Sequence, residues 1–121
     1  SVKSRADNII NFVKKYQKFI PLKKGVIELL VLAQLVHKDC YGYEIVAEVS
    51  KHMEISEGTI YPLLNRLKRD LFVETYLAES NSGPPRKYYK MTEMGKRAFL
   101  KMRDEWIVFS EAVNQLLNEV K

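Results

Sequence analysis

Few side chains in this 121-residue sequence have the type and spacing that chemistry demands. His37 and Cys40 lie three apart, the spacing of a thiol–imidazole pair, yet no third residue stands ready to orient the histidine. A free cysteine is more often a small buried hydrophobe. Glu44 and Glu48, four apart, share one face of a helix, either as a cation site or as two solvated carboxylates. His52 reads as a helix-end group rather than a metal ligand. There is no glycine-rich phosphate loop and no zinc-ligand spacing, and Cys40 is the only cysteine. No catalytic residue, cofactor or metal is therefore expected. What the chain offers instead is groups that recognise. Tyr61, Asn65 and Arg66 suit base edges or phosphate, or else form a solvated helix face. Arg86 and Lys87 suit phosphate. Trp106, the single tryptophan, can stack on a flat ligand or fill a seam between helices.

Such groups need elements to hold them. Residues 4–20 read as a basic amphipathic helix, with Ile9, Ile10, Phe12, Val13, Tyr16, Phe19 and Ile20 at three- and four-residue steps. Pro21 is expected to end or kink it. A second helix, Leu22 to His37, is apolar nearly all round, which predicts burial on most sides. A break at Asp39–Gly42 leads to a third helix reaching about His52. Ser56 is the expected N-cap of a fourth, its hydroxyl accepting from a backbone N–H, with Glu57 in the first turn. There Ile60, Leu63, Leu64 and Leu67 form the buried stripe. Pro62 lies beyond the first turn, so this helix either begins nearer Thr59 or is distorted. Both choices expose Thr59 and Tyr61 at its N-terminal end.

Leu71 to Leu77 alternates as a strand, residues 79–85 are turn material, and Arg86 to Met91 is the return strand, placing Arg86 and Lys87 at the tip of a hairpin. Thr92 caps a last long helix reaching about Val120. Along it Phe99, Met102, Trp106, Phe109, Val113, Leu116 and Val120 keep a 3, 4 spacing for three heptads. That seam predicts a partner helix, from a second copy or from residues 4–20 of the same chain.

Charge is organised along the chain. Residues 1–24, 25–60, 61–103 and 104–121 carry net charges of +6, −4, +6 and −3, which sum to the net +5. Two basic zones set apart by acidic ones make a footprint for a polyanion. The length suits one modest core. No apolar run approaches the ~20 residues of a membrane span, and no secretory signal pattern opens the chain, so a cytoplasmic location and no membrane partner are expected.

Three motifs stand in order: Tyr41-Gly-Tyr-Glu-Ile, Ile55-Ser-Glu-Gly-Thr-Ile-Tyr-Pro-Leu-Leu-Asn-Arg-Leu and Gly83-Pro-Pro-Arg-Lys-Tyr-Tyr-Lys-Met-Thr-Glu-Met-Gly. Over residues 25–118 the sequence resembles the PadR family of bacterial transcriptional regulators. Its short single C-terminal helix is similar to the small, LmrR-like, multidrug-responsive subfamily. The resemblance implies an α+β fold, mostly α with a small β-hairpin wing: a winged helix-turn-helix over residues 25–91, an added basic N-terminal helix over 1–24, and a dimerisation helix over 92–121. It implies a homodimeric repressor that binds a palindromic operator on double-stranded DNA. Tyr43, Ser56, Thr59, Tyr61, Pro62, Asn65, Arg66, Arg69, Arg86 and Lys87 are the expected DNA contacts. It further implies release by a planar aromatic effector held at the dimer interface by Val26, Leu30, Met102, Trp106 and Ser110. Phe99, Met102, Trp106, Phe109, Val113, Leu116 and Val120 are the expected dimer interface.

The sequence departs from the family pattern in two places. Asp70-Leu71 stands where a glycine usually follows the recognition helix, so that helix is expected to end without a left-handed glycine. Pro84 replaces one of two wing-tip cations. The N-terminal helix is longer than usual, with packing across the dimer, DNA contact or obstruction of a pore as its possible roles. A winged-helix protein-interaction module without ligand response is the alternative reading.

Overall fold

A computed structural model describes residues 2–15 and 20–120. In chain order they form α1 (Val2–Lys15), α2 (Ile20–His37), β1 (Cys40–Tyr41), α3 (Gly42–Ser50), α4 (Glu57–Arg69), β2 (Val73–Ser80), β3 (Gly83–Met91) and α5 (Glu93–Asn118). Residues 16–19 of the expected first helix lie outside the described residues, as do the side chains of Ile10, Phe12, Val13 and Ile20 from its apolar stripe. Pro21 lies within α2.

The core lies where α2, α3, α4 and the N-terminal part of α5 meet one face of the sheet. Ile27, Val31, Leu32 and Leu35 from α2 meet Ile45, Val49, Ile60, Leu63, Leu64, Leu67, Val73, Tyr89 and Phe99 there, all buried. The buried residues of α4 are the expected stripe of Ile60, Leu63, Leu64 and Leu67. The sheet is antiparallel in the order β1-β3-β2. Its inner face carries Cys40, Val73 and Tyr89. Register places Tyr41, Tyr88 and Tyr76 in one row on the other face. β1 was expected to be a simple break, because two residues are too few to show a strand period.

Of three local expectations, two are corrected. Ser56 is the N-cap, but its hydroxyl meets the Thr59 hydroxyl at 3.3 Å and takes no backbone N–H. Instead the Ser56 carbonyl accepts from Thr59 N at 3.0 Å and Ile60 N at 3.3 Å, a tightened first turn. The helix therefore starts at Glu57 and carries Pro62 inside it. Second, α4 ends without a left-handed glycine, as expected, and Leu71 takes the left-handed place instead, with φ 65°. Phe72 N donates to Leu67 O at 2.9 Å and Leu71 N to Lys68 O at 3.0 Å, the two bonds of a Schellman ending. The chain must turn here to enter β2, and the pair of bonds holds Leu71 in a conformation that costs an L-residue ~1–2 kcal/mol. Leu71→Gly is expected to raise stability by about 1 kcal/mol, read as a higher denaturant midpoint with unchanged m-value.

Third, the hairpin is longer than expected. Its turn is Asn81–Ser82, so Arg86 and Lys87 are not at the tip but pair with Ala78 and Leu77 further down. Ser80 pairs with Gly83 and Ala78 with Arg86, leaving Pro84 and Pro85 opposite Glu79 alone. That bulge is where a strand tolerates residues without an N–H. The tip residues Asn81 and Ser82 carry no charge.

α5 is capped as expected. The Thr92 hydroxyl accepts from Gly95 N at 3.0 Å and donates to Leu71 O at 2.6 Å. The helix start is thus tied to the end of α4.

Candidate nucleic-acid interface and apolar cleft

The candidate recognition face is what α4 leaves uncovered once its stripe is buried. Tyr61, Pro62, Asn65, Arg66 and Arg69 are exposed, and Thr59 is half-buried. Tyr61 lies across the start of α3. A Cβ added to Gly42 would stand 2.7 Å from Tyr61 Cε1, so only glycine leaves room for the ring. Tyr43, at the start of α3, is 63% exposed and remains available as a contact.

Two features of this face were not legible in the sequence. Arg66 is ion-paired with Glu28 of α2. Lys24, also on α2, lines one shallow groove with Gly58, Thr59, Pro62, Arg66 and Arg69. Lys23 and Lys24 line a second groove with Ser56 and Thr59. Because α2 begins at Ile20, the expected boundary at residues 24/25 falls within it, and these lysines stand beside the recognition helix. Their position in the basic first segment was the only available signal. Glu28 puts a carboxylate among cations suited to phosphate and occupies one of them. Glu28→Gln is expected to tighten binding to duplex DNA about threefold at ~0.1 M salt, measured by fluorescence anisotropy.

Two of the wing's cations, Arg86 and Lys87, point to opposite faces of the sheet. Arg86 Cζ lies 4.5 Å from the Tyr41 ring centroid, and Lys87 Nζ 5.6 Å from that of Tyr89. Behind Arg86 the tyrosines form a ladder. The Tyr41 and Tyr88 rings meet edge-on at 5.6 Å, and Tyr88 and Tyr76 stack at 5.5 Å. The Tyr76 hydroxyl donates to the Asp39 carboxylate at 2.6 Å. That bond pushes the phenol's pKa up to about 12.

The other chemically suggestive residues have local employment. The Cys40 thiol is buried, faces the Lys38 carbonyl at 3.5 Å, and has its pKa raised by burial. Glu44 accepts from Tyr41 N at 3.2 Å and pairs with Lys38, also at 3.2 Å. Glu48 pairs with Lys51 at 3.0 Å, with His52 Nε2 3.9 Å away.

Between α2 and α5 lies an apolar cleft of about 460 Å³. Pro21, Leu22, Gly25, Val26 and Leu29 of α2 face Met102, Glu105, Trp106 and Phe109 of α5 across it. Val26, Met102 and Trp106 were expected there. Leu30 and Ser110, also expected to line a pore at the dimer interface, do not line this cleft within one subunit. Leu30 lines a separate hollow with Ala33, His37 and His52, because it points to the α3 side of α2. The Ser110 hydroxyl donates back to the Ile107 carbonyl at 3.2 Å. Glu105, not expected, is the cleft's acid. The heptad seam is also divided. Phe99 is buried in the chain's own core and Met102 packs against it, whereas Trp106, Phe109, Val113, Leu116 and Val120 are exposed.

Comparison with known proteins agrees with this architecture. Residues 31–101 match the family model described as the transcriptional regulator PadR-like family. The chain belongs to that family. A PadR-like transcriptional regulator from Bacillus cereus is 38% identical, covers 78% of this chain and 93% of its own, and superposes with a TM-score of 0.72. A PadR family regulator from Clostridium difficile is 36% identical over 75% of this chain and 97% of its own, with a TM-score of 0.70. One from Eggerthella lenta is 30% identical over 98% of this chain and 99% of its own, with a TM-score of 0.71. This PadR-like chain is therefore a DNA-binding transcriptional regulator with a winged helix-turn-helix, and not an enzyme. Among its described residues no helix is long and apolar enough to cross a membrane.

Proposed function

We propose that this PadR-like regulator is a homodimeric repressor that leaves its operator when a planar aromatic molecule enters the α2–α5 cleft. One observation carries the reading. Trp106 sits where the cleft runs into the uncovered apolar half of α5, so a ligand there would touch both the cleft and the surface a second copy would cover. Trp106 and Phe109, with ring centroids 6.1 Å apart, offer aromatic faces, and Glu105 favours a cationic ring system. Two recognition helices in a symmetric dimer would read a palindrome with half-sites about one helical turn apart. Tyr43, Ser56, Thr59, Tyr61, Pro62, Asn65, Arg66, Arg69, Arg86 and Lys87 remain the proposed contacts.

The test is a titration of the protein–operator complex with a panel of planar aromatic cations. Trp106 fluorescence and operator release are followed together. Quenching and release at matching concentrations are expected. No quenching by any compound would remove the effector from the reading. The uncharged wing tip favours a second reading, a winged-helix protein-interaction module. Tyr61→Ala with Arg66→Ala separates the two: operator binding collapses under the first, while partner binding persists under the second.

A further inference from the structure

Arg66 and Arg86 are both proposed DNA contacts, yet the fold treats them differently. Arg66 is held by a carboxylate, which engages one of its guanidinium nitrogens. Among the described residues no carboxylate pairs with Arg86, which is instead laid on the ring of Tyr41. A guanidinium held over a ring spends no hydrogen bond on that contact, so its N–H groups stay available to grip phosphate in a fork.

The ring beneath Arg86 is itself immobilised from several directions. Tyr43 stacks on it at 6.4 Å with the planes 17° apart. Tyr88 meets it edge-on from the neighbouring strand, in direct register. Tyr76 stacks on Tyr88 with the planes 11° apart, and Asp39 holds the Tyr76 hydroxyl. A chain of contacts thus runs from the turn before β1, across all three strands, to one cation. Long side chains lose rotamer freedom when they bind, and an arginine already fixed on a rigid ring has less left to lose.

We propose that Tyr41 is a positioning residue that holds Arg86 ready for a DNA phosphate, with Tyr43, Tyr88, Tyr76 and Asp39 fixing the ring. This rests on the reading that Arg86 faces DNA. It adds the residue that makes a wing without tip cations able to grip. The wing does so through one pre-placed arginine at its waist rather than through flexible charges at its end.

The test uses the full chain and a labelled duplex of about 30 base pairs of random sequence, because phosphate contacts do not depend on sequence. Arg86→Ala should weaken binding about tenfold at ~50 mM salt and lower the salt slope by about one. Tyr41→Leu should weaken it about threefold, and Tyr41→Phe, which keeps the ring, should bind like wild type. The double variant R86A/Y41L should bind no more weakly than R86A, because Tyr41 acts through Arg86. Arg86→Lys keeps the charge and does not disturb the ladder, so it is free of any folding defect in Y41L. It should lose about as much as Y41L while keeping the salt slope. In the absence of DNA, the Arg86 side-chain protons should show an upfield ring-current shift in wild type and Y41F.

Three results would overturn the proposal while leaving DNA binding by this face intact. These are Y41L or R86K binding like wild type while R86A is weakened, a double variant that loses the product of the two single losses, and no ring-current shift on Arg86 in wild type. Binding by R86A equal to wild type would instead overturn the reading that Arg86 faces DNA, and the proposal with it.

Discussion

Val113→Glu is expected to leave the subunit folded, make it monomeric, and reduce operator affinity by about two to three orders of magnitude. Phe109, Val113, Leu116 and Val120 are 50%, 40%, 68% and 73% exposed, so the subunit does not need them for its own core. They continue a helical seam whose first members, Phe99 and Met102, pack at home. A contiguous apolar stripe of this kind is normally covered. A carboxylate at Val113 would be buried without a partner in a helix–helix dimer seam, at a penalty of several kcal/mol. The loss on DNA exceeds that of any single phosphate contact. Linked half-site binding gains ~10²–10⁴ in affinity through effective concentration, and a monomer forfeits it. Sedimentation gives the oligomeric state, and anisotropy on the operator gives the affinity. A variant that stays dimeric would remove α5 as the dimer seam.

Gly95→Ala is expected to destabilise the fold by about 3 kcal/mol, enough to lower the melting temperature by ~10 °C or more. A Cβ there would stand 2.1 Å from the Phe72 carbonyl oxygen and 2.9 Å from its carbon. Both are backbone atoms, held by Thr92 N donating to Phe72 O at 3.1 Å and by the Thr92 hydroxyl on Leu71 O. Neither side can yield without opening the junction that ties α5 to the end of α4. The same junction aims α4 relative to α5, so DNA affinity should fall along with stability. Gly25→Ala is the control. An added Cβ at Gly25 meets nothing within 4 Å, and alanine in the helix should gain ~0.5–1 kcal/mol. Thermal and denaturant unfolding of the two variants decide the matter. Equal stabilities would show that the Gly95 approach is not needed.

Features that repeat with a helical period or sit at a helix end were legible in the chain. Ile60, Leu63, Leu64 and Leu67 mark the buried side of α4 by spacing alone, which leaves Tyr61, Asn65 and Arg66 outward. Thr92 with Glu93 behind it announces the start of α5. Three ordered motifs sufficed for the family. Which residues of α2 line the cleft was not legible, because an apolar helix has several inward faces. Leu30 and Val26 are both apolar on α2, and periodicity does not say which of them meets α5 and which meets α3.

By itself, then, the sequence determined the order of the helices and the hairpin, the exposed face of α4, the two basic zones and membership of the PadR-like family, because each is a local or periodic property of neighbouring residues. Only the tertiary structure decided that Glu28 holds Arg66, 38 residues away, and that Asp39 holds Tyr76, 37 residues away. It alone placed Arg86 on Tyr41, made Leu71 the left-handed residue, and folded Pro84 and Pro85 into a bulge opposite Glu79. The physical reason is common to all of these. Charge pairing, ring stacking and strand register depend on which distant segments share a surface, and spacing along the chain carries no record of that.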